Sequence, residues 1–135
     1  YKDGIFDVIF AYAVIEHIPK KDVSAIIKEI GRVLKPGGIF YIFQLPQRYS
    51  YTEFLARVLN IESHEFLWSF QEITRILTTT GLKVIYEDQV DMFFNHPYKL
   101  INPIFTIVRI LNKILLYSPL KYFAHHLTVI AKKLI

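Results

Sequence analysis

The stretch that decides the fold is residues 6–43, which read FDVIFAYAVIEHIPKKDVSAIIKEIGRVLKPGGIFYIF. Residues 6–10 form a short apolar run of β-branched and aromatic residues, typical of a strand buried on both faces in a parallel sheet. A second apolar run, residues 39–43, predicts another strand of the same kind. The apolar residues between the two runs recur at spacings of three and four, which predicts an amphipathic helix: Val23, Ile26, Ile27, Ile30, Val33 and Leu34.

The ends of this helix carry their own signals. Asp22 stands near its start, where a carboxylate favours the helix dipole and can act as a cap, and Lys35 stands at its end. Residues 36–38, Pro-Gly-Gly, then stop the helix, because proline cannot continue it and glycine permits a turn. Strand, helix, turn and strand make one βαβ unit, which predicts a right-handed crossover between two parallel strands.

These residues also carry a family resemblance. The run FDVI…AVIEHI…IIKEIGRVLKPGGIFYI resembles the fourth strand, following helix and fifth strand of the class I S-adenosylmethionine-dependent methyltransferases. Residues 64–85, HEFLWSFQEITRILTTTGLKVI, are similar to the last helix and sixth strand of that family. The resemblance implies an α/β, Rossmann-like doubly wound sheet with three parallel strands and an antiparallel last strand at residues 127–131. The implied spatial order of the strands is 6–10, 39–43, 127–131, 82–86.

The resemblance covers only the C-terminal half of the family fold. The chain has five glycines and no G-x-G, so the family's glycine-rich cofactor turn has no counterpart here. We therefore expect residues 1–135 to be the C-terminal part of a methyltransferase domain, with roughly a hundred residues ahead of Tyr1 in the parent enzyme. We expect this chain by itself to be inactive and strand 6–10 to present an open edge.

The resemblance also implies a cofactor site. Ala11, Tyr12 and Ala13 are expected to lie against the methionine portion of S-adenosylmethionine, the alternative being a simple strand-to-helix turn. His17 is expected in the same cofactor loop and is the candidate general base, because its unperturbed pKa suits proton transfer. Some family members hold a metal with Glu-x-x-Glu-His; here Ala13 occupies the first position beside Glu16-His17, so no metal is expected.

Several further features concern the substrate side of the sheet. Residues 44–51 form an aromatic loop after the second strand, where ligands bind in open α/β sheets. Ser50 and Ser69 each begin an S-x-x-E capping box, and Gly81 is placed to follow the end of the second helix. The helix after Ser50 either covers the substrate or simply completes the core. His64, His96, His125 and His126 show no consistent ligand spacing, and the adjacent pair His125-His126 would point to opposite faces if extended, which makes a shared metal difficult.

Residues 98–123 are the most apolar stretch and predict a helical insertion before the last strand. Pro103, Arg109 and Lys113 interrupt it, which argues against a transmembrane span. Three interpretations remain open: a core-facing helix, a lid over a hydrophobic substrate, or an interfacial helix on a membrane or partner.

Composition and charge restrict the class of protein and its possible partners. A hydrophobic content of 53% with 21% charged residues leaves ample material for a core, and the absence of cysteine excludes disulfides and thiolate chemistry. The net charge of +4 is spread along the chain, which gives nucleic-acid binding little support. No signal peptide is recognised, so we expect a cytoplasmic protein, with peripheral membrane contact through 98–123 as an alternative.

The predicted function is S-adenosylmethionine-dependent methyl transfer to a small or lipid-like acceptor in the intact enzyme. The alternative is a non-catalytic methyltransferase-like module that uses residues 98–123 for membrane or protein interaction. The oligomeric state is left open.

Overall fold

The computed structural model describes residues 1–61, 63–92 and 102–134, and for residues 102–105 the backbone alone. His96 and the first residues of the predicted helical insertion, 98–101, lie outside the described residues. The described elements, in chain order, are β1 (Phe6–Tyr12), a 3-10 turn (Ile15–His17), α1 (Lys20–Val33), β2 (Leu34–Pro46), α2 (Tyr51–Val58), α3 (Phe70–Thr79), β3 (Leu82–Val90), α4 (Asn102–Leu116), a second 3-10 turn (Pro119–Phe123) and β4 (His126–Lys133).

The sheet has the predicted topology. Its strand order is β1-β2-β4-β3, with β1 parallel to β2 and β4 antiparallel to both of its neighbours. Three strands therefore run in one direction and the last strand runs against them between β2 and β3. The parallel pair is connected through α1, as expected for a βαβ unit. The α/β Rossmann-like fold class is confirmed.

The core lies between the sheet and the helices α1 and α3. These helices contact one another, and each contacts the sheet, through β2 for α1 and through β3 for α3. Burial of their apolar faces against the central strands is what holds the layers together. The fully buried residues of this core include Val23, Ile27, Phe40, Ile42, Trp68, Ile73, Leu77, Leu82 and Val129.

The helix ends match the sequence signals in part. α1 begins at Lys20 after Pro19; Asp22 lies in its first turn, but no side chain caps the helix. Ser69 and Glu72 form the predicted capping box at α3. Gly81 follows the end of α3 with φ +88°, the left-handed conformation expected of a residue in that position.

The Pro-Gly-Gly turn lies inside the β2 register rather than ahead of it. Leu34 pairs with Phe6 and Ile39 pairs with Val8, so residues 35–38 bulge out of the ladder. Lys35, predicted at the end of α1, instead donates hydrogen bonds to both carboxylate oxygens of Asp7 on β1, at 2.8 and 2.9 Å. The turn thereby fixes the register between the two parallel strands.

Strand β1 is not buried on both faces, and that prediction is wrong. Val8 is 40% exposed and Phe10 is 65% exposed. The Phe10 ring stacks on Tyr41 of β2, with centroids 4.8 Å apart, so this face of the sheet carries an aromatic patch. Within the described residues β1 pairs with β2 alone, which confirms the predicted open edge.

Helix α4 lies largely on the surface. Ile107, Ile110 and Ile114 are each more than half exposed, so the core-facing interpretation fails for the described side chains of this helix. Its anchor is Asn112, whose Oδ1 accepts a hydrogen bond from the Met92 amide at 2.6 Å. No helix in the described ranges is long and apolar enough to cross a membrane.

Candidate functional site

A cleft of about 480 Å³ opens beyond the carboxyl ends of β1 and β2, where ligands bind in open α/β sheets. One side is formed by Glu16 and His17 of the turn that follows β1. The other side is formed by Ser63, His64 and Glu65, from the segment between α2 and α3. The cleft therefore joins two parts of the chain that are distant in sequence.

The predicted cofactor residues Ala11, Tyr12 and Ala13 lie at the head of this region. Ala11 and Tyr12 are the last residues of β1 rather than the first of a loop; Ala11 is buried and Tyr12 is 61% exposed. Ala13 has a φ of 48°, a left-handed conformation that costs a non-glycine residue about 1–2 kcal/mol. Its amide donates to the Phe43 carbonyl at 3.2 Å, so β2 holds the bend that turns the chain out of the sheet. Their contact with the cofactor stays a prediction.

Glu16 and His17 occupy different environments although they are adjacent. The His17 side chain is 74% exposed, whereas the Glu16 side chain is 3% exposed. Glu16 Oε1 lies 3.9 Å from His17 Nε2, and Oε2 has no hydrogen-bond partner in the described part of the chain. An unpaired buried carboxylate oxygen is costly, so Oε2 would gain from a hydrogen bond donated by a ligand.

Glu53 departs from its predicted role. Ser50 Oγ does accept from the Glu53 amide at 3.3 Å, which makes Ser50 the N-cap of α2. The Glu53 carboxylate, however, accepts hydrogen bonds from His64, at 3.2 Å from the amide and 2.7 Å from Nδ1. His125 completes the group, with Nδ1 at 3.7 Å from Glu53 Oε1. The fold thus brings together two histidines whose sequence spacing indicated no common site.

The His125 ring is neutral at pH 7. Its burial, reinforced by the neighbouring His126, lowers the pKa of His125 to about 4. The rings of His125 and His126 lie 3.9 Å apart, so this pair does not have the opposite-face arrangement expected of two extended residues. The physical reason is that His125 precedes β4 and is not bound by the alternation of a strand.

A second, apolar pocket of about 320 Å³ lies between α2 and the C-terminal segment. It is lined by Tyr51, Met92, Leu115, Leu120 and Phe123. The Tyr51 hydroxyl donates to the Met92 carbonyl, and burial raises the pKa of Tyr51. Sequence reasoning missed this pocket because its residues come from separate segments. Two sequence signals pointed towards it: the aromatic loop 44–51 and the interpretation of residues 98–123 as a lid over a hydrophobic substrate.

The comparisons with known proteins agree with this architecture. The sequence profile described as "Methyltransferase domain" matches residues 1–42. The chain is 32% identical over 90 residues to the 2-methyl-6-phytyl-1,4-hydroquinone methyltransferase of Synechocystis, an alignment covering 61% of this chain and 28% of that protein.

Solved structures extend the likeness over the whole chain. An S-adenosylmethionine-dependent methyltransferase from Methanosarcina mazei matches with a TM-score of 0.64 and 19% identity, over 100% of this chain and 62% of its own. Phosphoethanolamine N-methyltransferase 2 of Haemonchus contortus, solved with S-adenosyl-L-methionine, matches with a TM-score of 0.59 and 19% identity, over 99% of this chain and 34% of its own.

The fold is that of the solved S-adenosylmethionine-dependent methyltransferases, and the sequence of residues 1–42 matches the methyltransferase-domain profile. The chain therefore resembles part of a class I S-adenosylmethionine-dependent methyltransferase domain. It spans less than two thirds of the length of each of these relatives.

Proposed function

We propose that the intact protein transfers a methyl group from S-adenosylmethionine to a small or lipid-like acceptor. The observation that carries the proposal is the cleft at the carboxyl ends of β1 and β2, which is lined by Glu16, a residue whose buried Oε2 has no partner within the described residues. A buried carboxylate oxygen without a partner fits a ligand that brings hydrogen-bond donors, as the cofactor and a hydroxyl acceptor both do.

The chemistry asks little of dedicated catalytic side chains. S-adenosylmethionine, when bound, supplies a methyl group on a positively charged sulfur. The bend at Ala13 opens the space beyond β1, and Ala11–Ala13 offer backbone groups towards it. Glu16 orients a donor group in the cleft, and the exposed His17 at the rim is the candidate acceptor of a proton. Holding the two reacting atoms together supplies most of the rate enhancement.

The apolar pocket supports a lipid-like acceptor. Its lining side chains, from Tyr51 to Phe123, suit an apolar tail, and the phytyl hydroquinone in the name of the Synechocystis relative is a compound of that kind. Helix α2 connects the two cavities, because Tyr51 lines the apolar pocket and Glu53 bonds His64 of the cleft. We infer that the acceptor's polar head occupies the cleft and its tail the apolar pocket.

The first test is calorimetric titration of S-adenosylhomocysteine into the intact protein and into this chain alone. We expect binding by the intact protein and none by this chain, whose sequence lacks the glycine-rich turn of the family. No binding by the intact protein would overturn the proposal.

A second test concerns Glu16. Glu16→Gln is expected to lower kcat/KM at least about tenfold, because a hydrogen bond to a charged group contributes about 1.5–3 kcal/mol. Glu65→Gln is the matched control, since Glu65 lines the same cleft but is exposed, and it should stay within about twofold. Equal effects of the two substitutions would remove Glu16 from the site.

A second candidate function rests on helix α4. The exposed Ile107, Ile110 and Ile114 share one face of the helix, and Arg109 and Lys113 supply positive charge beside it. We propose as the alternative a non-catalytic module in which this face contacts an anionic membrane, making the protein cytoplasmic and peripheral.

Flotation with vesicles that contain anionic lipid separates this alternative from the enzyme. The double substitution Ile110→Asp/Ile114→Asp should abolish flotation, whereas the control Leu59→Asp, at another exposed apolar residue, should preserve it. Methyl transfer that survives the loss of flotation would show that α4 does not serve catalysis.

A further inference from the structure

Three side chains with metal-ligand chemistry converge beside the cleft. Glu53 comes from the first turn of α2, His64 from the segment between α2 and α3, and His125 from the residue before β4. Each offers one ligand atom, and these three atoms all lie within 4.8 Å of one another. Glu53 and His125 are buried, and His64 is half-buried. We propose that these residues bind one divalent transition-metal ion, with Zn²⁺ the best match.

The donor set selects the class of metal. One carboxylate and two imidazoles form a ligand set that Zn²⁺ accepts in tetrahedral sites and leave one position open. The same set suits Fe²⁺ and Co²⁺. Mg²⁺ and Ca²⁺ are disfavoured, because both prefer ligand shells made of oxygen atoms.

The ligand atoms need to shift by about an ångström to accept the ion. Glu53 Oε1 and His64 Nδ1 now lie at hydrogen-bond distance, 2.7 Å. Ligand atoms of a tetrahedral Zn²⁺ site lie about 3.3 Å apart, given metal–ligand distances of about 2.0–2.1 Å. The His64 side chain is 34% exposed, so it has room to move outward while Glu53 and His125 keep their places.

The surroundings of His125 suit a ligand. Nδ1 lies 2.6 Å from Thr52 Oγ1 and 3.2 Å from Ser50 Oγ. A hydroxyl that holds Nδ1 fixes the tautomer and the orientation of the ring, as the outer partners of metal-bound histidines do, and leaves Nε2 as the ligand atom of His125.

The proposed metal site adjoins the cleft, and this position indicates a role for the ion. His64 belongs to the triad and also lines the 480 Å³ cleft, so an ion held there forms part of the cleft wall. A polar group of a molecule in the cleft can then fill the open coordination position. The competing explanation is a hydrogen-bonded network that does no more than connect α2 to the start of β4.

The test is metal titration of the intact protein after removal of metals with a chelator. We expect one Zn²⁺ per chain by calorimetry, and one Co²⁺ with visible ligand-field bands. Glu53→Gln and His64→Ala should each weaken Zn²⁺ binding at least about a hundredfold, since loss even of an outer partner costs 10–100-fold. Thr52→Val, which removes such a partner, should weaken it about tenfold.

His17→Ala is the matched control, because His17 is an exposed histidine of the same cleft outside the triad, and it should leave Zn²⁺ affinity unchanged. Circular dichroism of the metal-free variants establishes that each is folded. Absence of binding, unchanged affinity in folded Glu53→Gln, or loss of binding in His17→Ala would each overturn the proposal. S-adenosylhomocysteine titration is a separate measurement, so failure of the metal site and failure of the methyltransferase proposal are distinguishable.

Discussion

Replacing Gly38 with alanine should destabilise the protein by about 1–3 kcal/mol, the usual cost of adding a methyl group to a filled space. A Cβ placed at Gly38 would lie 2.9 Å from the Lys35 carbonyl oxygen, 3.1 Å from Leu34 Cδ2 and 3.2 Å from the Asp7 carbonyl oxygen. Two of these three neighbours are backbone atoms, so a side-chain rotation cannot relieve the contact. The strain falls on the turn that sets the register of β1 against β2.

Two other glycines make a matched series with the same added methyl group. Gly31 lies inside α1, and its new Cβ would meet only the Thr80 carbonyl oxygen, at an ordinary 3.6 Å. Gly31→Ala should therefore stabilise the protein by up to about 1 kcal/mol, the helix preference of alanine over glycine. Gly81 has open space within 4 Å but a φ of +88°, so Gly81→Ala should cost about 1 kcal/mol through backbone strain alone.

Urea unfolding followed by circular dichroism measures all three changes, with the midpoint reporting stability and an unchanged slope confirming a comparable transition. The expected order of stability is Gly31→Ala, unsubstituted protein, Gly81→Ala, Gly38→Ala. A Gly38→Ala midpoint at or above that of Gly31→Ala would refute the close packing of the turn.

Three further predictions concern the helix cap, the sheet edge and the apolar pocket. Glu72→Gln should cost about 1 kcal/mol at pH 7 by urea unfolding, because it weakens the capping box with Ser69. Burial alone would raise the pKa of Glu72, but hydrogen bonds from Lys20 and Ser69 outweigh burial and lower that pKa. The stabilisation by Glu72 is therefore present above the usual glutamate pKa and shrinks as the pH falls through the lowered value. A stability difference between Glu72→Gln and the unsubstituted protein that grew towards pH 3 would contradict this. Val8→Lys on exposed β1 should reduce concentration-dependent light scattering by this chain, since a charge on an edge strand opposes pairing with other chains; unchanged scattering would mean that β1 is not the contact. Tyr51→Phe should lower the free energy of unfolding in urea by about 1 kcal/mol through loss of the bond to the Met92 carbonyl, and an unchanged urea midpoint would show that this bond contributes nothing.

The sheet topology was predictable because its signals are local or come in repeated blocks. The apolar runs of β1 and β2, with the periodic helix between them, predict a βαβ unit by themselves. The antiparallel place of β4 followed from the family resemblance rather than from any pattern in its residues. The prediction that failed concerns solvent exposure, because strand 6–10 was expected to be buried on both faces. An apolar run has the same sequence pattern whether its strand is covered or exposed, so the 65% exposure of Phe10 could not be predicted from that pattern.

The site was predictable on one side only. Glu16 and His17 follow β1 directly, so their place at its carboxyl end is a local inference. His64 and His125 reach each other because the segment after α2 and the start of β4 both pass the first turn of that helix. No spacing in a single sequence encodes such a meeting, since it depends on where a distant strand enters the sheet.

The two S-x-x-E motifs explain why the same local signal had two outcomes. At Ser69 the backbone amide donates to Glu72 Oε2 at 2.9 Å, which completes the capping box. At Ser50 the amide already donates to the Gln47 carbonyl at 3.2 Å, so the donor that Glu53 would have satisfied is occupied. The Glu53 carboxylate therefore has both oxygens available for His64, whose amide and ring nitrogen fill them. A tight turn just before α2 thus releases a buried carboxylate from helix capping, and this release makes the proposed metal site possible.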